Sequence, residues 1–183
     1  MRGKINKELI IQESLNILND KSPEELTIKE LASRLNIKSS SLYKHFRNLD
    51  ALHDMLSNYS LKQLLNHLDN SVKRLNGVEA LCTLLKGYRE FALKYPSLYE
   101  YTQNTSYWIS EETKECSNQI VELIGSFIIN YEDESFKINV IRYLRSYVTG
   151  FVHLELNNGF GMNQDVNHSF MFGLEESLKC III

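Results

Sequence analysis

Lys38, Ser40, Ser41, Tyr43, Lys44 and His45 put two fixed positive charges, three hydroxyls and an imidazole into one short stretch of chain. Ammonium groups of this kind contact phosphates and small hydroxyls reach base edges, so the group suits a nucleic-acid duplex. Other constellations carry less chemistry. His153 and Glu155 stand two apart and point to different sides of a helix, and Glu115–Cys116 is likewise no ligand pair. No metal site is therefore expected. Phosphate-binding loops, nucleophile elbows and cofactor-binding motifs are absent from the sequence, so neither catalysis nor a cofactor is expected.

The residues before the basic group have the pattern needed to hold it out. Thr27 can cap a helix while Glu30 reaches back to the cap amide, a capping box. Ile28, Leu31, Ala32 and Leu35 recur at helical spacing and form one buried stripe, with Lys29, Ser33 and Arg34 turned outward. Ala32 is small enough for a second helix to cross closely, as a helix-turn-helix requires. Asn36 stands where the chain reverses and tolerates a left-handed backbone, while Ile37 pins the turn to the core. Ser39 is then expected to cap a second helix whose buried side needs only Leu42 and Phe46. The DNA-facing set read from this pattern is Thr27, Lys29, Lys38, Ser39, Ser40, Ser41, Tyr43, Lys44 and His45. The competing reading is a capped helical hairpin with a solvated polar face. The conjunction of cap, small residue, turn Asn, apolar turn residue and basic-aromatic second helix favours DNA.

Residues 7 to 56 resemble the N-terminal domain of the tetracycline-repressor (TetR) family of bacterial transcription regulators. The resemblance lies in K-E-L-I-I-Q-E-S-L-N-I-L for the first helix, L-T-I-K-E-L-A-S-R-L-N-I for the second, S-L-Y-K-H-F for the recognition helix and N-L-D-A-L for the start of a long fourth. Leu18, Ser22 and Asn36 depart from the residues common there, and none of them removes a DNA-facing group. Residues 145 to 161, R-S-Y-V-T-G-F-V-H-L-E-L-N-N-G-F-G, resemble the C-terminal effector and dimerisation domain of one subgroup, which often carries a His where this chain has Thr149.

Composition fits this frame. The chain has 183 residues and is 43% hydrophobic, with only two Pro and eight Gly, which accommodates long helices more easily than many-stranded sheets. Residues 1–50 hold 9 Lys and Arg against 7 Asp and Glu, whereas residues 51–183 hold 11 against 16, so the net positive charge is confined to the N-terminal part that holds the basic group. Three widely spaced cysteines, Cys82, Cys116 and Cys180, suggest packed thiols rather than a zinc or redox site. The N-terminus lacks a secretory apolar core and no stretch has the length of a membrane span, so a cytoplasmic protein without a membrane partner is expected.

The first helix is expected over residues 4–20, with Ile10, Ser14, Ile17 and Leu18 inward, and Ser22-Pro23-Glu24-Glu25 reads as a fresh cap. Asn48 caps a long rod with Leu52, Leu56, Tyr59, Leu64, Leu68, Val72 and Leu75 on one stripe, ended by Gly77. A fifth helix follows, closed by Pro96, which begins a short sixth; residues 99–108 have no clean period and read as bend and loop. A seventh helix is placed over 110–130, an eighth over 136–157, stopped by a left-handed glycine in Asn158-Gly159-Phe160-Gly161, and a last over 165–182. The fold class is all-α with about nine helices: a helix-turn-helix DNA-binding domain over 1–47 and a helical effector-binding and dimerisation domain over 48–183.

Aromatics concentrate in the body, and Tyr88, Tyr107, Trp108 and Tyr147 are the candidate pocket for a small apolar or aromatic effector. Each taken singly also fits an ordinary core. The eighth helix is apolar on more than one face, and Gly150 and Gly173 permit close helix approach. Gly150, Phe151, Phe170, Gly173, Leu174, Ser177 and Leu178 are the candidate dimer interface, because a pseudo-palindromic operator has two half-sites and needs two readers. The expected function is a ligand-responsive transcriptional regulator, most simply a homodimeric repressor released by its effector. The alternative is a dimeric binding or protein-interaction module that has lost its operator.

Overall fold

The computed structural model describes residues 5–128 and 133–179. Among them the chain is all-helical: α1 (Lys7–Leu18), α2 (Ile28–Arg34), α3 (Ser39–Leu42), α4 (Leu49–Ser71), α5 (Gly77–Lys94), α6 (Pro96–Gln103), α7 (Glu111–Ser126), α8 (Glu134–Leu156) and α9 (Val166–Lys179), with 3-10 turns at Pro23–Glu25 and Thr105–Tyr107. No described helix is long and apolar enough to cross a membrane.

The chain packs as two units. One comprises the described residues up to Gln63 together with Ser97–Ser117; the other comprises Leu64–Pro96 together with the described residues from Asn118 onward. This grouping by packing cuts across the functional boundary expected between residues 47 and 48.

The first unit has a core of Ile10, Ile17, Leu18, Leu26, Leu31, Ala32, Leu42, Phe46, Leu52 and Leu56, joined by Tyr101 from α6. Asn6 caps α1 by accepting the Leu9 amide at 2.8 Å, and the inward residues of α1 are Ile10, Ser14, Ile17 and Leu18, as the periodicity requires. Ser22 and Glu25 form a capping box around Pro23, but over a single 3-10 turn. The Asn48 carboxamide accepts the Ala51 amide at 2.9 Å and starts α4. Within this unit the buried face of α4 also takes in His53, Ser57 and Ser60, polar residues that an apolar stripe does not reveal.

The second unit is built on α5 packing against both α8 and α9, which also pack on each other. Ala80, Leu81, Leu84, Leu85, Tyr88, Phe91 and Ala92 face inward from α5, and Val140, Ile141, Leu144, Val148 and Val152 from α8. Arg89 ties the three helices together. Its guanidinium donates to Glu155 at 2.6 and 2.7 Å and to Asn167 at 2.9 Å, and lies over the Phe170 ring at 4.7 Å.

Several boundaries differ from the sequence reading for local reasons. The long helix ends at Ser71 rather than near Gly77; Arg74 and Gly77 both take left-handed backbone, and Gly77 opens α5. Residues 99–103, read as loop, continue α6 because Tyr99, Tyr101 and Thr102 are buried. Asn158, not a glycine, takes the left-handed position after α8 (φ 54°), and the Gly159 amide closes the cap on the Leu154 carbonyl at 2.7 Å. Asp133 and Asp165 cap α8 and α9 by accepting the amides of Ser135 and His168. The expected ends of the seventh and last helices, and Cys180, fall outside the described residues.

Candidate DNA interface

The helix-turn-helix is closed by backbone geometry that needs few side chains. Thr27 Oγ1 accepts the Glu30 amide at 3.2 Å and caps α2. Asn36 has φ 52°, its amide bonds to the Ser33 carbonyl and the Ile37 amide to the Ala32 carbonyl, each at 3.0 Å. That pair of bonds is the Schellman arrangement, with Asn36 in the left-handed position and Ile37 returning to the core.

Two local expectations are corrected. Glu30 does not return to the Thr27 amide in a capping box; its carboxylate is taken by Lys21 at 2.8 Å, an ion pair that ties α2 to the segment following α1. Ser39 is the first helical residue of α3 rather than its cap, since the cap position falls to Lys38 in extended conformation. The recognition helix is a single α-turn, Ser39–Leu42, after which the chain continues in turns through His45 with Leu42 and Phe46 buried.

Around that turn Thr27, Lys29, Lys38, Ser40, Tyr43 and Lys44 are exposed, and Ser39, Ser41 and His45 are half-buried. Among the described residues no ion pair engages Lys29, Lys38 or Lys44. Unpaired ammonium groups on a rigid local scaffold are free to neutralise phosphates. Arg34 and Arg47 are also exposed on this unit and are missing from the sequence-derived set. Their charge was visible; Arg47 lay just past the Phe46 anchor, at which the motif was closed.

The candidate effector residues divide into two pairs. Tyr107 and Trp108 belong to the first unit: Tyr107 stacks on His53 with centroids 4.4 Å apart, and Trp108 Nε1 donates to the Tyr101 carbonyl at 3.2 Å. Tyr88 and Tyr147 belong to the second, Tyr88 in its core and Tyr147 donating to the Phe170 carbonyl at 2.7 Å. Burial pushes the Tyr147 phenol up to about 12, against the pull of nearby Arg89, so it stays a neutral donor. Two surface clefts, about 460 Å³ beside Ile11, Met55 and Asn58 and about 590 Å³ beside Val78, Cys82 and Leu178, are lined by none of the four.

Most of the candidate dimer residues are engaged within their own subunit. Phe170, Leu174, Ser177 and Leu178 are buried inside their own chain, because α9 turns its apolar stripe onto α5 and α8. Gly173 faces Tyr147: a Cβ there would lie 2.5 Å from the Tyr147 hydroxyl. Phe151 is half-buried against Phe160 and Phe170. Gly150 alone of the seven is exposed, with open space where a Cβ would point. The exposed apolar residues of these helices are others, chiefly Phe172 (63% exposed) on α9 and Tyr143 (51%) and Leu154 (46%) on α8. Among the described residues no three His, Cys, Asp or Glu side chains gather as a metal site would require.

Residues 10–54 match the family described as bacterial regulatory proteins, tetR family, and residues 81–176 match the tetracyclin repressor-like C-terminal domain. An HTH-type transcriptional regulator of Bacillus subtilis (strain 168), YobS, is 26% identical over 98% of this chain and 94% of its own length. Tetracycline repressor protein class C of Escherichia coli is 41% identical over a shorter stretch, 36% of this chain and 29% of that protein. Among solved structures, a protein of unknown function from Rhodococcus sp. RHA1 superposes with a TM-score of 0.81 at 15% identity, covering 97% of this chain and 96% of that one. A TetR variant from Acinetobacter baumannii AYE in complex with minocycline superposes with a TM-score of 0.70 at 24% identity, covering 97% and 96%. Matched along both parts of its sequence and sharing the fold, this chain belongs to the TetR family, as a transcriptional regulator with a DNA-binding helix-turn-helix.

Proposed function

We propose that this protein is a cytoplasmic repressor that binds a pseudo-palindromic operator as a homodimer and is released by a small apolar or aromatic effector, with residues 1–47 as the reader and 48–183 as the effector-binding and dimerising body. The observation that carries the reading is the exposed face formed by Lys29, Lys38, Ser40, Tyr43 and Lys44, whose cations have no ion-pair partner among the described residues. Lys38 and Lys44, with Arg47, take phosphates; Ser40 and Ser41 approach base edges, and Tyr43 and His45 complete the set. Dimerisation is supported by apolar surface left uncovered on α8 and α9, at Tyr143, Leu154 and Phe172, and by open space beside Gly150.

The effector contacts aromatics of the body, with Tyr88 and Tyr147 as candidates in one unit and Tyr107 and Trp108 in the other. To move the dimer from mostly bound to mostly released, it must prefer the released state by roughly 10⁴-fold, about 5.5 kcal/mol. Because α4 is one continuous helix whose residues fall in both units, its position is the element such a preference would act on.

The test is duplex binding measured against salt. Lys38→Ala and Lys44→Ala are each expected to lower the log–log salt slope by about 1 without changing sequence preference. Unchanged slopes in both variants would remove these lysines from the interface and favour a binding module without an operator.

A further inference from the structure

Ser97–Ser117 lies far from the helix-turn-helix in sequence yet packs in the same unit. Two consecutive residues of α4 hold it there. His53 Nδ1 is 2.9 Å from the Tyr101 hydroxyl, and the His53 ring stacks on Tyr107 at 11° between planes. Asp54 Oδ1 accepts the amides of Ile109 and Ser110 at 2.8 and 3.1 Å. Beyond α4, Tyr107 donates to Glu24 of the first 3-10 turn at 3.4 Å, and Ser97 Oγ donates to the Leu18 carbonyl at the end of α1 at 3.0 Å. Residues 97–110 therefore form a strap across the end of α1, the turn before α2 and the first turns of α4. Those are the points from which the reading segment is hung.

We propose that His53 is a positioning residue for DNA reading: its neutral imidazole, clasped between Tyr101 and Tyr107, locks the strap onto the reader, and protonation opens the lock. The inference rests on the reading of this unit as the DNA-binding one.

His53 is only 5% exposed, so the clasp must solvate whatever charge the ring carries. A neutral ring is satisfied by one hydroxyl and an aromatic face. An imidazolium in the same place has two donors, of which Nε2 has no hydrogen-bond partner among the described residues, and the Tyr101 oxygen carries no counter-charge. The charged groups that face it are Glu24 from the 3-10 turn and Asp50 from the first turn of α4. Glu100 of α6 acts on Tyr101, Tyr107 and Glu24, and the neighbouring Asp54 is occupied by the start of α7. Burial lowers the imidazole below its ordinary value, outweighing the upward pull of Asp50 and Glu24. Burial also pushes the Tyr101 phenol well up, so the clasp stays neutral on its other side. The state with the strap lifted, whose His53 is hydrated, thus takes up a proton first as pH falls through the ordinary histidine range near 6.5. The closed state loses ground below that pH and keeps its advantage above it.

The experiment uses the full chain and a duplex selected from a random-sequence library for binding at pH 8, with affinity measured at constant ionic strength from pH 8 to 5.5. His53→Asn keeps an amide group near the Nδ1 position for Tyr101 and has nothing to titrate. Wild-type affinity is expected to fall at least about 5-fold relative to His53→Asn over this range, the lower bound of ordinary coupling between sites. His45 in the reading segment is common to both proteins and cancels in the ratio. Protection of amides 97–110 against hydrogen exchange in the free wild-type protein, taken relative to the intrinsic rate at each pH, is expected to fall over the same range. Parallel affinity profiles, or protection indifferent to pH, would overturn the lock. Failure of the wild type to bind any selected duplex at pH 8 would instead overturn the DNA reading, and the exchange measurement would still decide whether the lock exists.

Discussion

The turn between α2 and α3 and the seam between α8 and α9 each join two helices, but they handle apolar surface in different ways. In the first, the helices are short and each has a single apolar stripe; once Leu31, Ala32, Leu42 and Phe46 are buried and Ile28, Leu35 and Ile37 pack against them, Lys29, Ser33, Arg34, Lys38, Ser40, Tyr43 and Lys44 are left exposed. In the second, the helices are long and apolar on more than one side. Phe170, Leu174 and Leu178 close the core of the subunit, and Phe172 and Tyr143 remain in solvent. A helix with one stripe has only one way to sit on its core, so its outward residues are free to specialise. A helix with two stripes buries one in the subunit and leaves the other in solvent, and only packing decides which.

The contrast would be sharpest if the reader were self-contained, and the largest prediction attacks that point. Tyr101 belongs to α6 but is fully buried in the core of the first unit. Tyr101→Ala should therefore destabilise the reader by about 3–5 kcal/mol, as aromatic truncations in cores do. Urea unfolding followed by duplex-binding titration measures it; a loss under 1 kcal/mol would show a reader that stands without α6.

Gly173→Leu and Phe172→Glu separate the two stripes of α9. The first drives a side chain into Tyr147, whose hydroxyl is bound to the Phe170 carbonyl, and should lower subunit stability by about 1–3 kcal/mol. The second alters an exposed residue and should leave unfolding of the separated subunit nearly unchanged while sedimentation shifts toward monomer. The comparison fails if Gly173→Leu shifts sedimentation with no loss of stability.

Removing the guanidinium that spans α5, α8 and α9 has a comparable, somewhat smaller effect. Arg89→Met leaves the Glu155 carboxylate, 18% exposed, without its bidentate partner and should cost about 1–2 kcal/mol after allowance for solvent screening. Denaturation in low and high salt checks it, because a contribution made mainly through packing on Phe170 would be indifferent to salt.

The smallest effect is at the turn of the reader. Asn36→Ala at φ 52° should cost about 1 kcal/mol, whereas Asn36→Gly should be neutral or slightly stabilising. Equal melting temperatures for the two variants would mean that the left-handed position carries no strain.

Much of this molecule was legible because its signals are local. Thr27, Asn36 and Asn48 act on amides within a few residues of themselves, and the inward stripe of α1 follows from helical spacing. Where a side chain had two possible partners the reading failed: Glu30 was within reach of its own cap and of Lys21, and Lys21 took it. Tyr107 and Trp108 illustrate the same limit at longer range, since an aromatic pattern reports that a residue will be covered but not by what.

The sequence by itself determined the all-helical class, the helix-turn-helix and the polarity of its outer face, consequences of capping chemistry and of period 3.6 within single elements, and it carried the family as a resemblance of whole motifs. Tertiary structure alone decided that residues 97–117 belong with the reader, that His53 is clasped by Tyr101 and Tyr107, and which side of α9 is inside. Each of those depends on contacts between residues tens of positions apart. Hydrophobic burial drives such contacts without direction, so the pattern of one segment does not name its partner.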